Sequence, residues 1–158
     1  MNKIAQFYKV SYSQYAEYGD KEQYDQIILP KRSTLGSAGY DFFMPYDLQI
    51  KSGDSVTVAT GIRAKIENGW VLNIYPRSSL GFKYRLTLNN TVGIIDSDYY
   101  NADNEGHIFI RFTNCGDKDV VLEKGKAFVQ GVFLQFGITV DDNATENRTG
   151  GIGSTDKK

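Results

Sequence analysis

Apolar and polar residues alternate with a period of two along most of this chain, in short runs closed by glycine, proline or polar turns. The alternation is cleanest where Ile62, Ala64 and Ile66 are separated by Arg63 and Lys65. Trp70, Leu72 and Ile74 form the apolar face of the next strand, which Pro76 ends because proline has no N–H to give a ladder. Residues 5–10, 26–29, 48–50 and 55–59 read as further strands, another passes through Phe42 and Phe43, and residues 108–112 alternate again. On residues 128–136, Phe128, Val132, Leu134 and Phe136 share one face with Gln130. An unpartnered amide in an apolar row costs on the order of 1–3 kcal/mol, so Gln130 is either a satisfied core amide or one that faces a ligand. About ten strands, almost no helix and no internal repeat predict an all-β barrel or sandwich.

Two stretches depart from the alternation. Residues 11–25 are polar and rich in Tyr and Gln, and read as an insertion: a short helix capped by Ser13 and broken near Gly19, or a surface loop. Residues 141–158 hold few large apolar side chains, which predicts a flexible C-terminal segment after a β domain at residues 1–140.

Composition narrows the function classes. A net charge of −1 and a pI near 5.8 give no basic surface for nucleic acid or anionic lipid. There is no long apolar run and no signal-peptide core after Met1, so a soluble cytoplasmic protein is expected. The lone Cys115 cannot form an intramolecular disulfide or a CxxC knuckle, and the single His107 excludes a multi-histidine metal site. Gly125-Lys126 is not a phosphate-binding Walker loop, because Val120 and Ala127 hold the positions of its first glycine and its hydroxyl residue. Asp96-Ser97-Asp98 is not a calcium hand, since His107 stands at the twelfth position.

The richest chemistry lies in residues 90–99, Asn-Thr-Val-Gly-Ile-Ile-Asp-Ser-Asp-Tyr. Val92, Ile94 and Ile95 are strand formers, and Asp96-Ser97-Asp98 reads as a turn, which together predict a hairpin. Asn90 and Tyr99 would flank a small slot with Asp96 at its floor. An amide can read a planar base, a ring can lean on a sugar, and a carboxylate can take a proton from water; the same residues also serve ordinary turns. Pro76-Arg77-Ser78-Ser79-Leu80-Gly81 is either the start of a helix offering N–H groups and Arg77 to an anion, or a capping serine beside a surface arginine. Small residues at Gly36, Ser37, Ala38 and Gly39 allow close approach of another strand or a ligand. Arg148 and the glycines that follow it are either a linker or a wrap for a polyanion.

Taken together, these stretches resemble the five ordered motifs of the trimeric deoxyuridine triphosphatases (dUTPases), from about Ile28 to Thr155. Residues 35–41 resemble the first motif, 76–81 the second, 90–99 the third, 125–130 the fourth and 148–155 the fifth. The resemblance implies a jelly-roll-like β-barrel, a homotrimer with active sites shared between subunits, and a Mg²⁺ ion held mainly by the substrate's triphosphate and water. It implies hydrolysis of dUTP to dUMP and pyrophosphate by in-line attack of water on the α-phosphorus, which limits uracil in DNA and supplies dUMP for thymidylate synthesis. By position, Asp96 would be the base and Asp41 would support its water network. Asn90, with the backbone of Gly93 and Ile95, would hold uracil, and Tyr99 would exclude a 2′-hydroxyl. Arg77, Ser78, Ser79 and Gln130 would hold phosphates, and Arg148, Ile152, Gly153 and Ser154 would close as a lid.

The chain departs from the family pattern in three places. Ile152 stands where an aromatic usually stacks on uracil, Asn147 where the lid arginine usually stands, and residues 100–105 make the loop after the third motif longer. Two alternatives accompany the hydrolase. A dCTP deaminase needs a carboxylate where this chain has Arg111, which cannot serve as that acid–base group. A dUTPase scaffold used as a regulatory protein-binding module would place its contacts on residues 11–25 and 100–105.

Overall fold

The computed structural model describes residues 2–146 and 148–150. Its twelve strands are β1 (Ala5–Lys9), β2 (Lys31–Arg32), β3 (Tyr40–Phe43), β4 (Leu48–Ile50), β5 (Ser55–Ala59), β6 (Ile62–Ile66), β7 (Trp70–Pro76), β8 (Leu86–Leu88), β9 (Gly93–Ile95), β10 (Phe109–Asn114), β11 (Val120–Leu122) and β12 (Ala127–Gln135). Three short helices, α1 (Tyr12–Tyr15), α2 (Lys21–Asp25) and α3 (Ser78–Tyr84), and a 3₁₀ turn at Ser97–Asn101 complete the described elements. All strand pairs are antiparallel. They form a five-stranded sheet in the order β2-β3-β12-β7-β9, a three-stranded sheet β5-β10-β8, and the pairs β1-β6 and β4-β11. The all-β expectation holds.

One apolar core is shared by these sheets, with Phe42, Ile50, Leu72, Ile74, Ile108, Phe112 and Phe128 almost fully enclosed. Along β6 the buried residues are Ile62, Ala64 and Ile66, and along β10 they are Ile110 and Phe112, as the alternation predicts, followed by the buried amide of Asn114. On β12 the expected face is wrong. The pairing with β3 shifts between Ala127 and Val129, and this bulge turns the strand by one residue, so that Phe128 and Val129 are both buried. Beyond it the face with Gly131 and Phe133 packs inward, while Leu134 and Phe136 are exposed. Gln130 is therefore half-buried on the side away from the core, with Nε2 3.4 Å from the Pro76 carbonyl.

Residues 11–25 fold as α1 and α2, broken at Gly19 as expected, but they are not a superficial insertion. The cap of α1 is Ser11, whose Oγ accepts from the Gln14 N–H, rather than Ser13. Tyr15 is wholly buried, and Tyr18 lies edge-on to Phe109 with centroids 5.0 Å apart. Aromatics at Tyr12, Tyr15 and Tyr18 give the segment an apolar face that a count of its polar residues conceals. Gly61, at φ 69°, closes the turn between β5 and β6 beneath it. A Cβ there would stand 2.3 Å from Ile27 Cδ1, and its N–H donates to His107 Nε2 at 2.8 Å.

Candidate active site

The segment after β8 does not return as a hairpin. β8 pairs with β10, whereas β9 pairs with β7 on the neighbouring sheet, so residues 89–92 cross between sheets. Thr91 takes a positive φ of 62° to make that crossing. This opens a cavity of about 250 Å³, lined by Asn90, Gly93, Ile94, Ile95, Asp96, Tyr99 and Arg148 over an apolar floor that includes Ile74, Leu88 and Ile108. A Cβ on Gly93 would lie 3.1 Å from Ile74 and 3.9 Å from Asn90 Nδ2, so the absence of a side chain keeps the slot open beside the amide.

Asp96 occupies the N-cap position of the 3₁₀ turn, yet its carboxylate makes no capping bond. An aspartate retained for turn geometry alone accepts an N–H of the first turn; this one is turned to the cavity and half-exposed. Arg148 Nη2 meets Asp96 Oδ2 at 2.7 Å, and its Nε meets Asp98 Oδ1 at 3.0 Å. The Thr149 carbonyl accepts from the Asp103 N–H at 3.1 Å, so the tail is also tied to the loop after the 3₁₀ turn. The sequence marked Asp98 only as a turn residue; its pairing with Arg148, distant in the chain, leaves no local signal.

Tyr99 faces the cavity with its ring and is 6% exposed. Its hydroxyl donates to the His107 carbonyl at 2.7 Å and accepts from Asn104 Nδ2 at 2.8 Å. Burial raises its pKa above the usual tyrosine value, against the lowering effects of the Asn104 bond and the Arg148 charge. The hydroxyl thus stays protonated and engaged with the loop.

A second group gathers across the sheet. Asp41 on β3 stands in register with Gln130 on β12, which stands in register with Tyr75 on β7. Arg77 Nε lies 3.4 Å from Asp41 Oδ1, and Ser33 Oγ donates to Asp41 Oδ2 at 2.7 Å. A Cβ on Gly39 would meet Gln130 Oε1 at 2.7 Å, so the glycine admits the amide. The N-cap of α3 is Arg77, with no side-chain capping bond, so neither serine caps the helix; Ser78 and Ser79 are exposed in its first turn. Asp41 and Arg77 are not brought beside Asp96 within this chain. Asp41 on β3 is three strand steps from β9, or roughly 14 Å at the usual spacing, and Arg77 follows the end of β7 whereas Ile95, next to Asp96, pairs with Leu72 near its start. Asp41 is accordingly Arg77's partner here and is not brought to Asp96. Ile152, Gly153 and Ser154 lie outside the described residues.

Behind Tyr99, His107 is fully enclosed and stacks 4.3 Å from the Phe109 ring. Its Nε2 must stay unprotonated to accept from Gly61, and burial lowers its pKa from 6.5 to about 4 despite the opposing charge of Glu105. The unfolded chain takes up this proton from about pH 6.5 downward and the folded protein only near 4, so stability present above 6.5 is lost across that window, by about 3 kcal/mol. His107→Gln keeps an acceptor for Gly61 and is expected to flatten the fall in melting temperature between pH 6.5 and 4; an unchanged slope would place the acid-sensitive group elsewhere.

Among the described residues, no group of three or more His, Cys, Asp or Glu side chains converges on a metal position. No helix among them is long and apolar enough to cross a membrane. Arg111 on β10 is exposed, away from the cavity.

A dUTPase family model matches residues 25–156. The deoxyuridine 5′-triphosphate nucleotidohydrolase of Lactococcus lactis subsp. lactis is 47% identical over 132 residues, covering 82% of this chain and 88% of that protein. The enzyme of the same name from Glaesserella parasuis is 34% identical over 147 residues, covering 88% and 94%. The crystal structure of dUTPase from Streptococcus mutans matches with a TM-score of 0.69 at 42% identity, over 84% of this chain and 97% of that one. A dUTPase of Staphylococcus bacteriophage 80alpha shares the fold, with a TM-score of 0.69 at 18% identity over 92% and 98%.

Proposed function

The chain belongs to the dUTPase family and hydrolyses dUTP, and from that premise we propose that each active site joins the cavity of one protomer to the phosphate-binding group of another. The observation that carries this reading is the separation of Asp96 from Asp41 and Arg77: β3 stands three strand steps from β9, and Arg77 follows the end of β7 whereas Ile95, next to Asp96, pairs with Leu72 near its start. A nucleotide whose α-phosphorus lies at Asp96 then meets the phosphate-binding group of a neighbouring protomer rather than that of its own. A closed homotrimer brings unlike patches of neighbouring subunits together three times. Leu134, Phe136, Ile138 and Val140, exposed along β12 and the segment after it, supply apolar surface for such contacts.

In this mechanism uracil enters the slot, where the Asn90 amide and the backbone of Gly93 and Ile95 meet its polar edge. The Tyr99 ring packs on the deoxyribose and leaves no room for a 2′-hydroxyl. Asp96 orients a water and takes its proton as the water attacks the α-phosphorus in line, giving dUMP and leaving pyrophosphate. Arg77, with Ser78, Ser79 and Gln130 of the adjoining protomer, holds phosphate oxygens and offsets their charge, and Asp41 orients Arg77. Arg148 exchanges its carboxylate partners for the triphosphate when substrate arrives. The residues present fit a Mg²⁺ ion carried by the triphosphate, because the described residues gather no cage of three carboxylate, His or Cys ligands and Asp96, at the cavity, and its neighbour Asp98 are about half-exposed. Bound in that way, the ion would neutralise charge on the phosphate oxygens. The products connect this activity to keeping uracil out of DNA and to supplying dUMP for thymidylate synthesis.

Purified protein supplied with Mg²⁺ and, in turn, dUTP, UTP, dTTP and dCTP tests the assignment through pyrophosphate release. Turnover selective for dUTP is expected. Comparable hydrolysis of UTP would remove Tyr99 as the sugar gate, and ammonia release from dCTP would point to deamination. The internal packing of α1 and α2 accounts for residues 11–25 without a regulatory partner.

A further inference from the structure

Tyr99 presents only its ring to the nucleotide cavity, because its hydroxyl is held from behind by residues 104–107. The orientation of the Asn104 amide follows from its two neighbours. Oδ1 accepts the Gly106 N–H at 3.2 Å, which leaves Nδ2 to donate to Tyr99 Oη at 2.8 Å. With a donor on that side, the hydroxyl directs its own proton to the His107 carbonyl at 2.7 Å. All three groups are satisfied by one arrangement.

The loop that supplies these contacts is itself fixed. Its backbone turns through Glu105 at φ 59° and Gly106 at φ 70°, and the His107 N–H returns to the Asn104 carbonyl at 3.1 Å. A Cβ on Gly106 would lie 2.6 Å from the Tyr99 carbonyl, so the loop touches the gate residue's backbone as well as its hydroxyl. From outside, the Glu105 carboxylate accepts the Ser11 N–H at 2.8 Å and the Ser11 hydroxyl at 2.5 Å, with Arg63 Nη1 3.7 Å away. Arg63 also stacks 3.7 Å from the Tyr100 ring centre. The extra length of residues 100–105 thus becomes a brace that runs from α1 to Tyr99.

We infer that residues 104–107 are a clamp on the Tyr99 ring, with Asn104 as a positioning residue that sets discrimination between 2′-deoxyribonucleotides and ribonucleotides. The inference rests on Tyr99 being the sugar-facing ring of the proposed site. A steric gate discriminates only as far as it refuses to move. Tyr99 is anchored at its Cα by the 3₁₀ turn and at its far end by two hydrogen bonds, so a 2′-hydroxyl cannot be admitted by tilting the ring without breaking one of them. Removing the Asn104 donor leaves the far end held by one hydrogen bond instead of two, while leaving base, phosphate and water contacts in place.

The test compares kcat/KM for dUTP and UTP in the full-length protein and in Asn104→Ala, Tyr99→Phe and the double variant. Asn104→Ala is expected to lower the dUTP-to-UTP preference about three- to tenfold by raising UTP turnover, with dUTP changed by less than about twofold. In the Tyr99→Phe background the same substitution is expected to change the preference no further, because the shared bond is already gone. Asn104→Ser, too short to reach the Tyr99 hydroxyl but able to accept the Gly106 N–H, is expected to act like Asn104→Ala and covers the case in which the alanine variant folds poorly. An unchanged preference, an equal loss for both nucleotides, or an undiminished effect in the phenylalanine background would overturn the clamp. If the unsubstituted protein turned over UTP as well as dUTP, the sugar gate itself would fall, and the clamp with it.

Discussion

Asp96→Asn is expected to lower kcat for dUTP by about 10²–10⁴-fold, the usual contribution of a positioned general base, while leaving KM within about a fewfold. The amide preserves the size and hydrogen-bonding shape of the side chain but cannot accept a proton from water. The 3₁₀ turn does not depend on the charge, because the Asp96 carboxylate makes no capping bond to it. Arg148 retains its contact to Asp98, so the tail keeps one carboxylate partner in the variant. Single-turnover measurement with saturating dUTP separates the chemical step from binding. Retention of kcat within about tenfold would remove Asp96 as the base.

Arg77→Ala is expected to lower kcat/KM for dUTP on the order of a hundredfold, through two effects of the same sign. One charge-assisted contact to phosphate is lost, and Asp41, now without its partner 3.4 Å away, repels the triphosphate. Asp41→Asn alone is expected to cost less than about tenfold, since Arg77 keeps its charge and a neutral neighbour. Steady-state kinetics over a range of dUTP concentrations check both. An Asp41→Asn loss as large as that of Arg77→Ala would give Asp41 a direct role toward the reacting water.

The parts of this molecule that were legible in the sequence are those encoded by near neighbours. The period of two on β6, β7 and β10 puts Ile62, Leu72 and Phe112 in the core wherever the partner strands lie. Asn90, Asp96 and Tyr99 were legible because a short segment carries all three to one cavity. What the sequence concealed depends on pairing at a distance. A bulge against β3 reverses the inward face of β12 after Phe128, and no residue of β12 announces it. The expected hairpin dissolves because β8 and β9 find better partners in different sheets. Residues 11–25 read as surface because polar residues outnumber the tyrosines that dock them. The Asn104-Glu105-Gly106 sequence does signal a turn, but only the fold shows that the turn ends on the Tyr99 hydroxyl.

The division of the site between protomers is tested most directly by mixing two impaired variants. Asp96→Asn and Arg77→Ala chains are purified separately, dissociated, reassembled in equal amounts, and assayed for dUTP hydrolysis, with size-exclusion chromatography confirming reassembly. If a site takes Asp96 from one protomer and Arg77 from its neighbour, every mixed trimer contains one intact site, and random assembly restores about a quarter of the unsubstituted rate. Activity no greater than the sum of the two variants assayed alone would contradict shared sites and require Asp96 and Arg77 to act within a single protomer.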